Sequence, residues 1–146
     1  MKPRTRARAL ALQVLFEIDM ANHPPAEVFK ERLEETPLTA ELSEFARQII
    51  FGILPITKQL DETIAKYAPE WPVDQIAAID RNILRIACWE FAVHHDTPIK
   101  VAINEAVEVA KHYGSDSAPR FVNGVLGSLA DHQHEIKQFL QKAGQT

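Results

Sequence analysis

The chain is predicted to be all-α, with about six or seven helices, and three observations carry that expectation. Apolar residues recur at spacings of three and four, as one face of a helix requires. No segment sustains the two-residue alternation of a half-buried strand. Eight of the nine prolines fall between periodic segments or at their starts, where the fixed φ and missing N–H are tolerated.

Each element follows in turn. Residues 4–21 carry Leu10, Val14, Leu15 and Ile18, so the arginines before them open a helix. Residues 26–35 form a short second helix with Val28, Phe29, Arg32 and Leu33. The third stripe is long, running Leu42, Phe45, Ile49, Ile53, Ile56, Leu60, Ile64, Tyr67. Pro55 lies inside it but off the stripe, which predicts a kinked helix or two abutting ones. After Trp71-Pro72, a stripe from Ile76 through Ile79, Ile83, Ile86 and Phe91 runs to about His95. Leu84, Ala87 and Cys88 widen it, as in a helix buried on more than one side. The segment after Pro98 continues to Tyr113, with Gly114 as its expected C′ residue. A turn over residues 115–119 starts the last helix, whose stripe is Phe121, Val125, Leu129, His132, Ile136 and Leu140.

With 146 residues, one domain is expected, large enough to fold without a disulfide or metal. No apolar run approaches the roughly 20 residues of a membrane span, and no secretion signal opens the chain. A single cysteine, Cys88, points to a reducing cytoplasm. The formal net charge is −4, from 16 bases and 20 acids, which as a bulk value speaks against a nucleic-acid partner. Its distribution says otherwise. Residues 1–10 hold Lys2, Arg4, Arg6 and Arg8 and no acid, leaving 12 bases against 20 acids, or −8, over residues 11–146. An arginine-rich head of this kind suits bidentate contact with phosphates, although solvated termini often look the same.

Catalytic patterns are absent. There is no HExxH, no paired CxxC and no glycine-rich phosphate loop, and the six histidines lack metal-ligand spacing. His132 and His134 diverge on a helix, and His94 and His95 are adjacent at a helix end. Glu105 with Glu108, and Asp61 with Glu62, read as solvated charge on exposed faces. Arg81 and Arg85 are four apart on one face of their helix, with Asp80 as a nearby counter-charge, while Ile79, Ile83 and Ile86 point to the core. Phe121 is most simply a core residue at a helix start; beside Arg120 it also offers a face on which an unpaired base could stack.

Four blocks taken together, RTRARALALQVLFEID, IDRNILRIACWEF, PIKVAINEAVEVAKHYG and RFVNGVLGSLA, resemble the NusB transcription antitermination family. The resemblance runs from residue 2 to about residue 130; residues 131–146 match no motif. It implies an all-helical domain over 1–146 built as two packed bundles, without a cofactor or metal. It further implies binding of boxA RNA as a single strand together with the ribosomal protein NusE, in the complex that helps RNA polymerase read through terminators. By the same resemblance Lys2, Arg4, Arg6 and Arg8 meet the RNA backbone, Arg81 and Arg120 lie near the RNA path, and Phe121 stacks on a base. Phe16 and Asp80 match positions expected to face NusE. Two departures stand out. Phe16 replaces a common tyrosine, and Ser117-Ala118-Pro119 replaces a more polar turn. Similar domains also open ribosomal RNA methyltransferases, for whose catalytic domain 146 residues leave no room. A helical interaction module without an RNA role is the other alternative, and both a monomer and a homodimer remain open.

Overall fold

The computed structural model describes residues 1–94 and 96–144, so His95 and its place at a helix end lie outside the described residues. Among the described residues all regular structure is helical, as the spacing predicts. The α-helices are α1 (Pro3–Ala21), α2 (Pro25–Glu35), α3 (Ala40–Ile53), α4 (Thr57–Tyr67), α5 (Ala78–Trp89), α6 (Ile99–Tyr113), α7 (Ala118–Ala130) and α8 (Gln133–Gly144).

Local chemistry explains most boundaries. Pro3 and Pro25 occupy first helical positions, where no N–H is needed. α1 ends at Asn22, whose left-handed φ of 53° an Asn tolerates and whose N–H donates to the Ile18 carbonyl. Thr39 caps α3 by accepting a hydrogen bond from the Leu42 N–H at 3.3 Å. At Pro55 the chain makes a 3-10 turn, Leu54–Ile56, so the long stripe is carried by two helices rather than one kinked rod. Thr57 donates its hydroxyl to the Ile53 carbonyl at 3.1 Å across the break.

Three boundaries differ from expectation. The stripe from Ile76 starts helical only at Ala78, because residues 73–75 form a 3-10 turn, and beyond Trp89 it widens into a π-helical stretch, Glu90–His94. Gly114 has φ −92°, so left-handed geometry is not its reason; a Cβ there would sit 2.4 Å from the Ala118 Cβ, where α7 approaches α6. The last stripe is divided at residues 131–132 into α7 and α8. The second piece turns to lie on α4 and the π-helical stretch, burying Ile136 and Leu140.

Two helices organise the rest. α1 packs against α2 and α3 on one side and against α5 and α6 on the other, which is why residues 7–12 are buried without interruption. α5 packs on α1, α3, α4, α6 and α7, and residues 82–92 are likewise all buried. Pairing of residue 8 with 90 and of residue 19 with 82 sets these two helices antiparallel. One contiguous apolar core joins the α1–α3 group to the α5–α7 group.

Candidate nucleic-acid interface

The basic head is not one feature but two. Lys2, Arg4 and Arg6 are exposed, whereas Arg8, one turn further along α1, is only 5% exposed. Its Nε and Nη2 donate to the two carboxylate oxygens of Glu90, both at 2.8 Å, in a bidentate pair, and its Nη1 lies 3.3 Å from Glu105 Oε2. Thr5 adds a hydroxyl bond to Glu105 at 2.6 Å, and Thr97 donates to Glu90 at 3.3 Å. Glu90 is only 1% exposed, and these partners offset the cost of burying its carboxylate. The result is a clasp that fastens the start of α1 to the end of α5 and to α6. Arg8 therefore has no free face for a phosphate, while Arg4 rests over the Phe45 ring at 4.0 Å and keeps its charge at the surface.

The second arginine pair behaves similarly. Arg85 is buried and bonds both oxygens of Asp61 at 2.8 Å and Asp19 Oδ2 at 2.8 Å. Burial opposes its charge, but Asp61 and Asp19 outweigh that and hold the guanidinium above its ordinary value. The counter-charges of this face are thus Asp19 and Asp61, not Asp80. Arg81 lies 3.6 Å from Asp19 and donates weakly to the Ile76 carbonyl at 3.3 Å, while its Nε is buried without a partner.

Asp80 and Phe121 line one pocket at the opposite end of α6 from the exposed head, and Arg120 precedes Phe121 in α7. Phe121 is half-buried at the start of α7, its ring perpendicular to Trp71 at 87° with centroids 5.9 Å apart. Asp80 is half-buried on α5 beside the α6–α7 turn, and burial pushes its carboxyl up from the ordinary value. Arg120 is exposed. Lys2 and Arg4 sit beside Pro98 and Val101 at the start of α6, and Asp80 lies by Gly114 at its end. Those two ends are roughly 20 Å apart at about 1.5 Å per residue. Phe16 is half-exposed on α1.

Glu90, Glu105 and Trp71 are functional candidates that residue spacing does not reveal. A signal existed for the first: a carboxylate inside the apolar run ACWEFAV has to find a cation. Glu105 and Asp61, which read as solvated charge, instead take buried arginines. Cys88 is fully buried, and burial raises its thiol pKa to about 12, so it behaves as a small apolar residue. Among the described residues no three His, Cys, Asp or Glu side chains are placed to hold a metal, and no helix is long and apolar enough to cross a membrane.

Comparison with known proteins gives one consistent result. Residues 5–131 match the model of the NusB family. The chain is 48% identical over 134 residues to transcription antitermination protein NusB of Roseiflexus castenholzii, covering 90% of this chain and 94% of that protein. It is 43% identical over 129 residues to transcription antitermination protein NusB of Bacillus subtilis, covering 88% and 95%. Among solved structures, T. maritima NusB superposes with a TM-score of 0.81 at 33% identity, over 94% of this chain and 98% of that one. A crystal structure of the antitermination factors NusB and NusE in complex with dsRNA gives 0.81 at 27% identity, over 90% and 98%.

Proposed function

The chain belongs to the NusB family, and from that premise we propose that it is a transcription antitermination factor. In this reading it binds boxA RNA together with NusE in the cytoplasm and aids read-through by RNA polymerase. Residues 1–146 act as one RNA-binding unit, and the role is that of a scaffold rather than a catalyst. The observation that carries this reading is the exposed cationic head, Lys2, Arg4 and Arg6, locked in orientation by a buried clasp on an otherwise acidic body. Phosphates are attracted to that head, and the acidic remainder of the body opposes them, so the RNA backbone is first engaged at the start of α6. Arg120 and Phe121 supply the second contact, and Arg81 lies behind them on α5. Arg8 serves the interface indirectly, by holding the other three in place.

The acidic body suits a basic partner. NusE docked over Phe16 and Asp80 would screen the repulsion and leave RNA gripped from two proteins. We expect modest affinity for boxA by the chain alone and tighter binding with NusE present. Filter binding with boxA and a scrambled RNA, each with and without NusE, tests this: equal affinity for the two RNAs overturns the boxA assignment, and no effect of NusE overturns the shared grip. One solved relative was described with dsRNA, so a duplex arm belongs in the same experiment. Phosphate attraction alone would not separate the duplex from the single strand, whereas stacking on Phe121 requires an unpaired base.

A further inference from the structure

The family match ends at residue 131, and α8 lies beyond it. Its buried residues, Ile136 and Leu140, explain why this helix is held in place but not what it holds. Besides α4, it rests on the π-helical stretch Glu90–His94, the single turn of that kind among the described residues. Such turns are rare and concentrate at functional sites.

Two routes lead from this turn to the basic head. The first is the clasp. Glu90 opens the turn and takes Arg8 in its bidentate pair, and Thr97, just past the turn, donates to the same carboxylate. The second route is aromatic. His94 closes the turn, stacks on Trp89 at 4.8 Å and 19°, and lies 6.0 Å from the Phe45 ring. Arg4 rests on that same Phe45 ring at 4.0 Å. Trp89 is in turn seated against Gly52, where a Cβ would lie 2.4 Å from the indole Nε1. One end of the turn therefore sets Arg8 and the other sets Arg4. Its exit delivers Pro98 and the start of α6 beside Lys2.

The middle of the turn belongs to α8. Carbonyls in the last turn of a helix have no onward N–H to accept from. That of Ala92 accepts from the Gln141 side-chain amide, with Nε2 and the oxygen 3.1 Å apart, and Gly144 brings the end of α8 up to Val93. A side chain 49 residues further along the chain thus supplies a bond that the turn does not supply itself. Removing that donor takes away one support for the wider register. Any tightening of the turn then re-aims Glu90 and His94 relative to each other.

We propose that α8 is the positioning element of the RNA-contacting head: Gln141 holds the π-helical turn, and the turn holds Arg8 and Arg4 through its two ends. Gln141 itself is a positioning residue and touches no RNA. The proposal rests on the RNA-binding reading and extends it to a helix that has no phosphate contact of its own.

The test uses the full chain, single-stranded boxA RNA and two substitutions. Gln141→Met keeps the length of the side chain and removes the amide, whereas Gln141→Lys keeps a donor on a stem of similar reach. We expect Gln141→Met to weaken RNA binding about fivefold, the worth of one ordinary hydrogen bond, and Gln141→Lys to restore most of it. A lysine that attracted phosphate directly would steepen the salt dependence, so the slope should match that of the unaltered chain. Trp89 gives a second readout. The only tryptophans are Trp71 and Trp89, so in a Trp71→Phe background without RNA the emission reports on the His94 stack. Gln141→Met should change that emission, and Gln141→Lys should return it. In an Arg4→Ala, Arg6→Ala background Gln141→Met should cost no further affinity, whereas a loss through general destabilisation would persist there. Affinities are compared at a temperature where circular dichroism shows every variant folded. Full RNA affinity or unaltered Trp89 emission in Gln141→Met overturns the proposal. A loss that Gln141→Lys fails to restore, or that persists without Arg4 and Arg6, overturns it as well. Where Gln141→Met does not fold, Gln141→Lys decides alone: folded but with weakened binding and altered emission, it overturns the requirement for a donor. Each of these outcomes leaves the RNA reading standing. Absence of any RNA binding by the unaltered chain overturns the underlying reading itself.

Discussion

Arg6 and Arg8 stand two residues apart in the same basic head, yet one is exposed and the other is among the most buried charges in the protein. Their chemistry is identical, so the difference comes from the helix they share. Arg8 lies on the row of Leu12 and Leu15, which faces α5 and α6, whereas Arg6 looks outward. Charge count and charge availability are therefore separate quantities. Of the four cations that make residues 1–10 strongly basic, one is committed inside the protein to Glu90 and Glu105.

Truncating the inward arginine should break this contrast most forcefully. Arg8→Ala leaves Glu90 buried and unpaired, and we expect a loss of about 3–5 kcal/mol in urea or thermal unfolding. Combined with Glu90→Gln, the loss should be smaller than the sum of the single changes. Arg85→Ala should cost less, about 1–3 kcal/mol, because Asp19 and Asp61 are partly exposed and can rehydrate. Arg4→Ala gives up only its interaction with the Phe45 ring, worth about 0.5–1 kcal/mol, and Arg6→Ala should stay within about 0.5 kcal/mol. Binding should rank these variants differently. The Arg4→Ala, Arg6→Ala pair should weaken RNA affinity and flatten its dependence on log salt, by about 0.7 for each single-strand phosphate that is no longer neutralised, with helix content unchanged. A pair that includes Arg8 would confound binding with folding.

The smallest effect concerns Asp80, whose carboxyl is raised by burial. A carboxyl raised on folding contributes stability below its unfolded value and loses that contribution as pH rises through the folded one. At neutral pH Asp80→Asn should then be slightly stabilising in unfolding measurements, and should remove the decline on its alkaline side. Glu17, which His23 and Arg32 hold below the ordinary carboxylate value, has the opposite sign.

The helices were largely legible from spacing because most present a continuous apolar row to one core. The break after Ala130 was not, since Leu129, His132 and Ile136 keep the three-and-four rhythm through the turn. Among site residues, the exposure of Lys2 and Arg4 could be read from their place before the first apolar residues. The burial of Arg8 could not, because the stripe Leu10, Val14, Leu15, Ile18 names one face of α1 while the structure covers several. Pairings such as Arg8 with Glu90 and Arg85 with Asp61 join residues far apart along the chain, and local periodicity carries no information on them. Trp71 gave no periodic signal, lying between helices and acquiring meaning only when α7 brings Phe121 beside it.

The clasp also has a chronology. Arg8 leaves the ribosome before its partners, and Glu90 and Glu105 follow more than eighty residues later. During synthesis the basic head exists long before anything fixes its direction, and closing so long a loop comes late in folding. A nascent or truncated chain that stops before Glu90 carries all four cations and neither carboxylate that binds Arg8. Such a chain would present a loose polycation, whereas the finished protein withdraws Arg8 and fixes the helix that carries Lys2, Arg4 and Arg6 at its start.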